Sequence, residues 1–381
     1  MRRLLCLMLA MMLLGIQGAA GEWIVEEDDA PFPDRQAQAR VLMRDMSLED
    51  KVWQLLLVSP EALTKEKITT ALGKENVFRA RPAGGVVIFG QNISSESQLK
   101  GLTGDLQRQA KSAGVYPLLI GVTEEGGAWS RVANKLGYEK ALSAPEIGAS
   151  GDTEQAYQAG EKIGKYLKPL GINLDFAPVC DVLTAEDAWI KPRLYGSNPG
   201  VTADMALRMA QGLRSQGIIP CFSHFPGQGS INGNLNNRSV VNTRGLADMQ
   251  AVDWFPFRKA VEEGAGMIMV SNAPSRAAGD GMPACLSPVV IGQWLRQDLG
   301  YQGVVVTDSL RMGAITSRYK PGTAAVEALK AGADLLLLPA NADIAVSSIL
   351  RAVRAGDLTE ERINESVERI LALKIDQGVI Q

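Results

Sequence analysis

Asp308 closes an apolar stretch at 304–307, and His224, the only histidine in the chain, follows another at 218–222. Glu124 and Glu125 follow a third at 118–122, Asp181 a fourth at 172–177, and Asn272 a fifth at 267–270. A carboxylate at the end of a stiff strand can attack an electrophilic carbon or move a proton, provided other polar groups converge on it. Polar residues also mark strand ends simply because the chain meets water there. An Asp before a helix can serve as its cap. Here uncommon groups coincide at several successive ends, which points to one shared mouth. A single histidine excludes a histidine-rich zinc site, and no metal or cofactor is expected.

The elements that would position these groups are short apolar runs at 55–58, 85–89, 118–122, 172–177, 218–222, 267–270, 304–307 and 334–338. Longer amphipathic segments separate them. Near-continuous apolar strands alternating with helices predict a parallel sheet covered on both faces. Eight such units predict a closed (β/α)8 barrel of the TIM type, with an open doubly wound sheet as the alternative. A barrel gathers the residues after its strands at one face. Ser47 with Asp50 predicts a helix start, and residues 359–377 predict a closing amphipathic helix.

The chain has 381 residues, enough for one large barrel and too few for a second large domain beside it. Its net charge of -3 comes without a basic run, so no nucleic-acid partner is expected. Arg2 and Arg3 precede an apolar run that ends in Gly18-Ala19-Ala20-Gly21. That is the pattern of an export signal over 1–21, followed by an extended acidic leader over 22–34 and the barrel domain over 35–381. The run is short for a membrane span, so secretion or a cell-envelope location is expected, with no stable membrane insertion once the signal is removed. Cys180, Cys221 and Cys285 remain after such removal; an odd number among apolar neighbours predicts buried free thiols.

Four ordered segments carry a resemblance. They are Ile120-Gly-Val-Thr-Glu-Glu-Gly-Gly-Ala-Trp-Ser-Arg131, Gly171-Ile-Asn-Leu-Asp-Phe-Ala-Pro-Val-Cys-Asp-Val182, His224-Phe-Pro-Gly-Gln-Gly229 and Leu299-Gly-Tyr-Gln-Gly-Val-Val-Val-Thr-Asp-Ser-Leu-Arg-Met312. Together they resemble glycoside hydrolase family 3, in its single-domain β-N-acetylhexosaminidase branch. The resemblance implies a retaining glycosidase acting on terminal β-linked sugars, with Asp308 as nucleophile. It also implies that Arg131, Arg193 and His224 contact a carbohydrate substrate, alongside the positions of Thr123 and Ser223.

The departures from the family pattern are chemical. Thr123 stands where the family has a sugar-holding Asp, Ser223 where it has a Lys, and Ala128 where it has an Arg. The family's Asp-x-His acid/base pair falls on Asn234 and Asn236, and an amide cannot act as an acid or base near neutral pH. Glu124 and Glu125 are the candidate replacement acids, although Glu125 occupies a position the family keeps. Gly227, Gly229 and Gly233 among several asparagines predict a mobile loop here. Three readings stay open: a glycosidase, a sugar-binding or scaffold barrel that has lost its acid/base, and a transferase-type enzyme in which an acceptor replaces water.

Overall fold

The computed structural model describes residues 33–66, 69–73 and 75–380. The expected export signal, and the leader up to residue 32, lie outside the described residues. A helix runs over Pro33–Met43, and a second over Leu48–Gln54 begins where Ser47 accepts the Asp50 N–H at 3.1 Å.

The strands are β1 (Leu56–Val58), β2 (Gly85–Val87), β3 (Leu119–Val122), β4 (Leu174–Asp175), β5 (Ile219–Pro220), β6 (Phe222–Phe225), β7 (Met267–Val270), β8 (Val304–Thr307) and β9 (Leu336–Leu337). Every ladder is parallel. One sheet runs β5-β4-β3-β2-β1-β9, and the other β6-β7-β8. Two junctions close the circle. Val306 bridges Leu335, and Thr307 N–H donates to the Leu335 carbonyl at 3.0 Å. On the other side Val179 bridges Ser223. β5 and β6 are one barrel strand interrupted at Cys221, so the barrel has the eight strand positions expected from the apolar runs.

Parallel strands buried on both faces need side chains of alternating size inside. Gly121 on β3 shows why. A Cβ there would come within 2.9 Å of the Phe176 ring, so the glycine lets that ring fill the barrel. Cys180, Cys221 and Cys285 are buried free thiols.

At the face opposite the pocket, Asp334 precedes β9 and is fully buried. It accepts from Arg296 at 2.6 Å, Arg369 at 3.1 Å, Ser366 at 2.8 Å and the Val305 N–H at 2.9 Å, with Arg362 at 3.4 Å. Burial pushes its carboxyl up, but the three guanidiniums outweigh this and hold it below the usual carboxylate range. The cluster ties the closing helix, Glu360–Asp376, to the foot of β8. That helix starts at Thr359, whose hydroxyl accepts the Arg362 N–H, as the sequence predicts.

Candidate active site

A cavity of about 320 Å³ lies at the carboxyl ends of the strands. Asp308, His224, Arg131, Arg193, Thr123 and Glu125 line it. These residues come from distant parts of the chain, and barrel closure brings them together.

Asp308 directly follows β8. Its N–H donates to the Val270 carbonyl at 2.8 Å, and its Oδ1 accepts from the Ser309 N–H at 2.6 Å. The backbone is thus held from both sides, while no cation forms an ion pair with the carboxylate among the described residues. Burial raises its pKa, and His224, the Ser309 N–H and Arg193 offset this only in part. A rigid, unpaired carboxylate facing a cavity can attack an electrophilic carbon.

His224 lies within β6, not after the strand as the apolar run implied, because pairing with β7 continues to Phe225. Its Nδ1 is 2.8 Å from Asp181 Oδ2, and its backbone N–H donates to the same oxygen at 3.2 Å. The other Asp181 oxygen accepts the Gln228 N–H at 2.6 Å. The expectation for Ser223 is corrected by its place: the register shifts between Phe222 and Phe225, and the irregular strand brings His224 but not Ser223 to the cavity. Ser223 is buried, does not line the cavity, and its hydroxyl has no hydrogen-bond partner among the described residues.

The arginines differ in what they hold. Arg193 grips Glu125 at two points, Nε to Oε2 at 2.8 Å and Nη2 to Oε1 at 2.6 Å, and stacks on Trp129 at 5.1 Å. Glu125 therefore faces the cavity as half of an ion pair. Arg131 opens the helix Arg131–Leu136 and stacks on Phe89 at 5.0 Å. Burial pulls its guanidinium below the usual value, against the opposing charges of Glu124, Glu125 and Asp175.

Glu124 does not reach the cavity. Its Oε2 accepts the Val132 N–H at 2.6 Å, and its Oε1 accepts the Ala133 N–H at 3.0 Å and the Tyr166 hydroxyl at 2.7 Å. It caps the helix that presents Arg131, because the first N–H groups of a helix lack internal partners. Burial raises its pKa despite these bonds. The turn before the helix needs Gly126, at φ 89°, where a Cβ would come within 2.2 Å of the Leu142 carbonyl oxygen.

Of the two asparagines, Asn236 lines the cavity and Asn234 does not. Asn234 Oδ1 accepts the Asn236 N–H at 2.9 Å and so shapes the turn. The loop expected to be mobile is pinned. The Asn236 carbonyl accepts the Gly313 N–H at 2.8 Å, the Leu235 carbonyl the Ala314 N–H at 3.0 Å, and the Gly229 carbonyl the Thr184 N–H at 2.9 Å. Leu235 is buried with Ile231, Ala273 and Ala314.

Sequence reasoning missed Phe89, Trp129, Trp189, Gln228 and Arg311 as lining residues. Phe89 ends the second apolar run, so the strand-end rule would have found it. Trp129 and Trp189 are 41% and 43% exposed. Large aromatics left open in loops after strands were the available signal. Among the described residues, no group of three His, Cys, Asp or Glu side chains gathers that could hold a metal ion, and no helix is long and apolar enough to cross a membrane.

Comparison with known proteins bears on this geometry. Residues 47–373 match the glycosyl hydrolase family 3 N terminal domain. Beta-hexosaminidase LpqI of Mycobacterium bovis (strain BCG / Pasteur 1173P2) is 31% identical over 353 residues, covering 90% of this chain and 87% of that protein. Beta-hexosaminidase A of Pseudoalteromonas piscicida is 31% identical over 320 residues, covering 76% of this chain and 53% of that protein. Among solved structures, a glycoside hydrolase family 3 beta-N-acetylglucosaminidase from Paenibacillus sp. str. FPU-7 superposes with a TM-score of 0.83 at 32% identity. The match covers 88% of this chain and 63% of that one. The chain belongs to glycosyl hydrolase family 3, as a glycosidase similar to β-hexosaminidases.

Proposed function

We propose that the protein is an exported retaining glycosidase that removes terminal β-linked sugars, N-acetylhexosaminides first among them, with Asp308 as nucleophile. The observation that carries this reading is Asp308 itself: an unpaired carboxylate, fixed by two backbone hydrogen bonds, facing a sugar-sized cavity. An Asp308 oxygen would bond to the anomeric carbon as the bond to the aglycone oxygen breaks. Water would then attack the same carbon and release Asp308. Arg131, Arg193 and His224 would hold the sugar, with Thr123 at the wall. Beta-hexosaminidase relatives support the choice of N-acetylhexosaminides.

The proton is the weak step. Glu124 is committed to a helix end, Glu125 to Arg193, and the Asn236 amide is neither an acid nor a base near neutral pH. This favours a second reading, a sugar-binding barrel that turns over only substrates whose leaving group departs unaided.

The test is turnover of the mature chain on an activated aryl N-acetyl-β-glucosaminide and on the unactivated disaccharide, together with Asp308→Asn. Loss of aryl turnover in Asp308→Asn, with an unchanged thermal melt, supports the nucleophile. Unchanged turnover removes Asp308 from that role. Turnover of the activated aryl substrate alone, with N-acetylglucosamine bound but the disaccharide left intact, favours the second reading.

A further inference from the structure

Arg311 and Arg131 stack on the same ring. Their guanidinium carbons lie 5.1 and 5.0 Å from the Phe89 centroid, and all three residues line the cavity. The two guanidinium carbons therefore lie no more than about 10 Å apart, about a Debye length. Among the described residues neither side chain makes a hydrogen bond or an ion pair, although the charges of Glu124, Glu125 and Asp175 reach Arg131.

Three other ring-stacked arginines also hold a carboxylate, while Arg318, over Tyr319, reaches only the Gly281 carbonyl at 3.4 Å among the described residues. Arg208 lies over Tyr157 and holds Glu154 at 2.8 Å. Arg296 lies over Tyr301 and holds Asp334 at 2.6 Å. Arg193 lies over Trp129 and holds Glu125. Arg131 and Arg311 have the stacking without the anion. The cavity's own carboxylates do not supply it, since Glu125 is spent on Arg193 and Asp308 makes no ion pair with either. A guanidinium offers planar paired donors that suit a carboxylate, sulfate or phosphate.

We propose that the Phe89 wall is an anion subsite, in which Arg131 and Arg311 together take a negatively charged substituent of the saccharide. The proposal rests on reading the cavity as a sugar site, and it narrows the substrate to an acidic glycan. The sugar would lie against Asp308 with its charged group turned toward Phe89. Arg311 then selects substrate without touching the reacting atoms.

Equilibrium binding, followed by calorimetry without turnover, tests this. Two matched pairs serve as probes: glucuronic acid against glucose, and N-acetylglucosamine 6-sulfate against N-acetylglucosamine. At low salt, at least one acidic probe should bind about tenfold more tightly than its neutral partner. The preferred pair identifies the source as a carboxylate or an ester of a strong acid. The margin should shrink as salt is added, disappear in the exposed variant Arg311→Ala and return in part in Arg311→Lys. Equal binding within both pairs would overturn the anion subsite while leaving the sugar site standing. A margin unchanged in Arg311→Ala would overturn it as well. Failure of all four probes to bind would overturn the sugar reading and this proposal with it.

Discussion

Asp181 fixes His224: Oδ2 of the carboxylate lies 2.8 Å from the ring Nδ1 and also accepts the His224 backbone N–H. The same oxygen accepts the backbone N–H beside it, which assigns the proton of the ring contact to Nδ1 and leaves Nε2 for the cavity. Because His224 is the only histidine, the imidazole resonances of the untagged chain need no assignment. Nitrogen shifts should show a proton on Nδ1, and Asp181→Asn should reduce that occupancy. A ring without a proton on Nδ1 in the wild-type protein would contradict the arrangement.

Glu124 is expected to act on Arg131 rather than on a leaving group. Glu124→Ala removes the acceptor for two helix N–H groups and the Tyr166 hydroxyl, and should cost about 1–3 kcal/mol of stability. Glu124→Gln keeps one acceptor oxygen and should melt at an intermediate temperature. In both variants the ratio of rates on activated and unactivated glycosides should match the wild type. A selective loss on the unactivated substrate in Glu124→Gln would make Glu124 a proton donor after all.

Much of this was readable in the residues alone. The eight strand positions follow from apolar runs that both sheet faces bury, and such runs need no knowledge of distant contacts. Asp308 and His224 are legible because strand ends meet at one mouth, Arg131 and Arg193 only through the resemblance to the family. What escaped was the direction in which a side chain points. Glu124 and Glu125 are adjacent carboxylates after β3, yet one caps a helix and the other grips Arg193. Ser223 lies where the pairing of β6 shifts register, an irregularity that no apolar pattern marks. The stacking of Arg131 and Arg311 on the same Phe89 ring joins three separate loops and leaves no mark in local sequence.

Lys374 offers a pH test of the scaffold. It is fully buried on the closing helix, and its Nζ reaches Gln54 Oε1 at 3.3 Å and the Gly84 carbonyl at 3.0 Å. No carboxylate accompanies it among the hydrogen bonds of the described residues, and burial lowers its pKa from 10.5 to about 7. Above the unfolded value both states are neutral and the group costs nothing. As the pH falls through this window the unfolded chain gains a proton that the folded chain resists, so stability is lost until the folded value is passed. Stability of the wild type relative to Lys374→Met should therefore rise by a few kcal/mol, to order of magnitude, between about pH 7 and about pH 10. Urea midpoints across that window measure it. A pH-independent difference would mean that Lys374 stays charged when buried.

The loop bearing Asn234 and Asn236 invites repair of the proton step. Its backbone is already anchored, since the Asn236 and Leu235 carbonyls accept from Gly313 and Ala314, directly after the Asp308 segment. Asn236 lines the cavity while Asn234 accepts the Asn236 N–H through Oδ1. Asp at 234 keeps that acceptor, so Asn234→Asp should not disturb the turn. Asn236→His places an imidazole at the cavity wall, where the new carboxylate can orient it and support its charge. General acid/base assistance typically contributes about a hundred- to ten-thousand-fold. The double variant should therefore gain about tenfold or more on an unactivated glycoside, less than the full factor because Thr123 supplies no carboxylate to hold the sugar. On an activated aryl glycoside, whose leaving group departs without a proton, the gain in glycosylation should be small. Each single variant should gain little, since imidazole and carboxylate act as a pair. Rates of the wild type, both single variants and the double variant on both substrates decide it. An equal gain on both substrates would point to altered sugar binding instead of a restored acid. Brisk wild-type turnover of the unactivated glycoside would show that a donor other than this loop already supplies the proton.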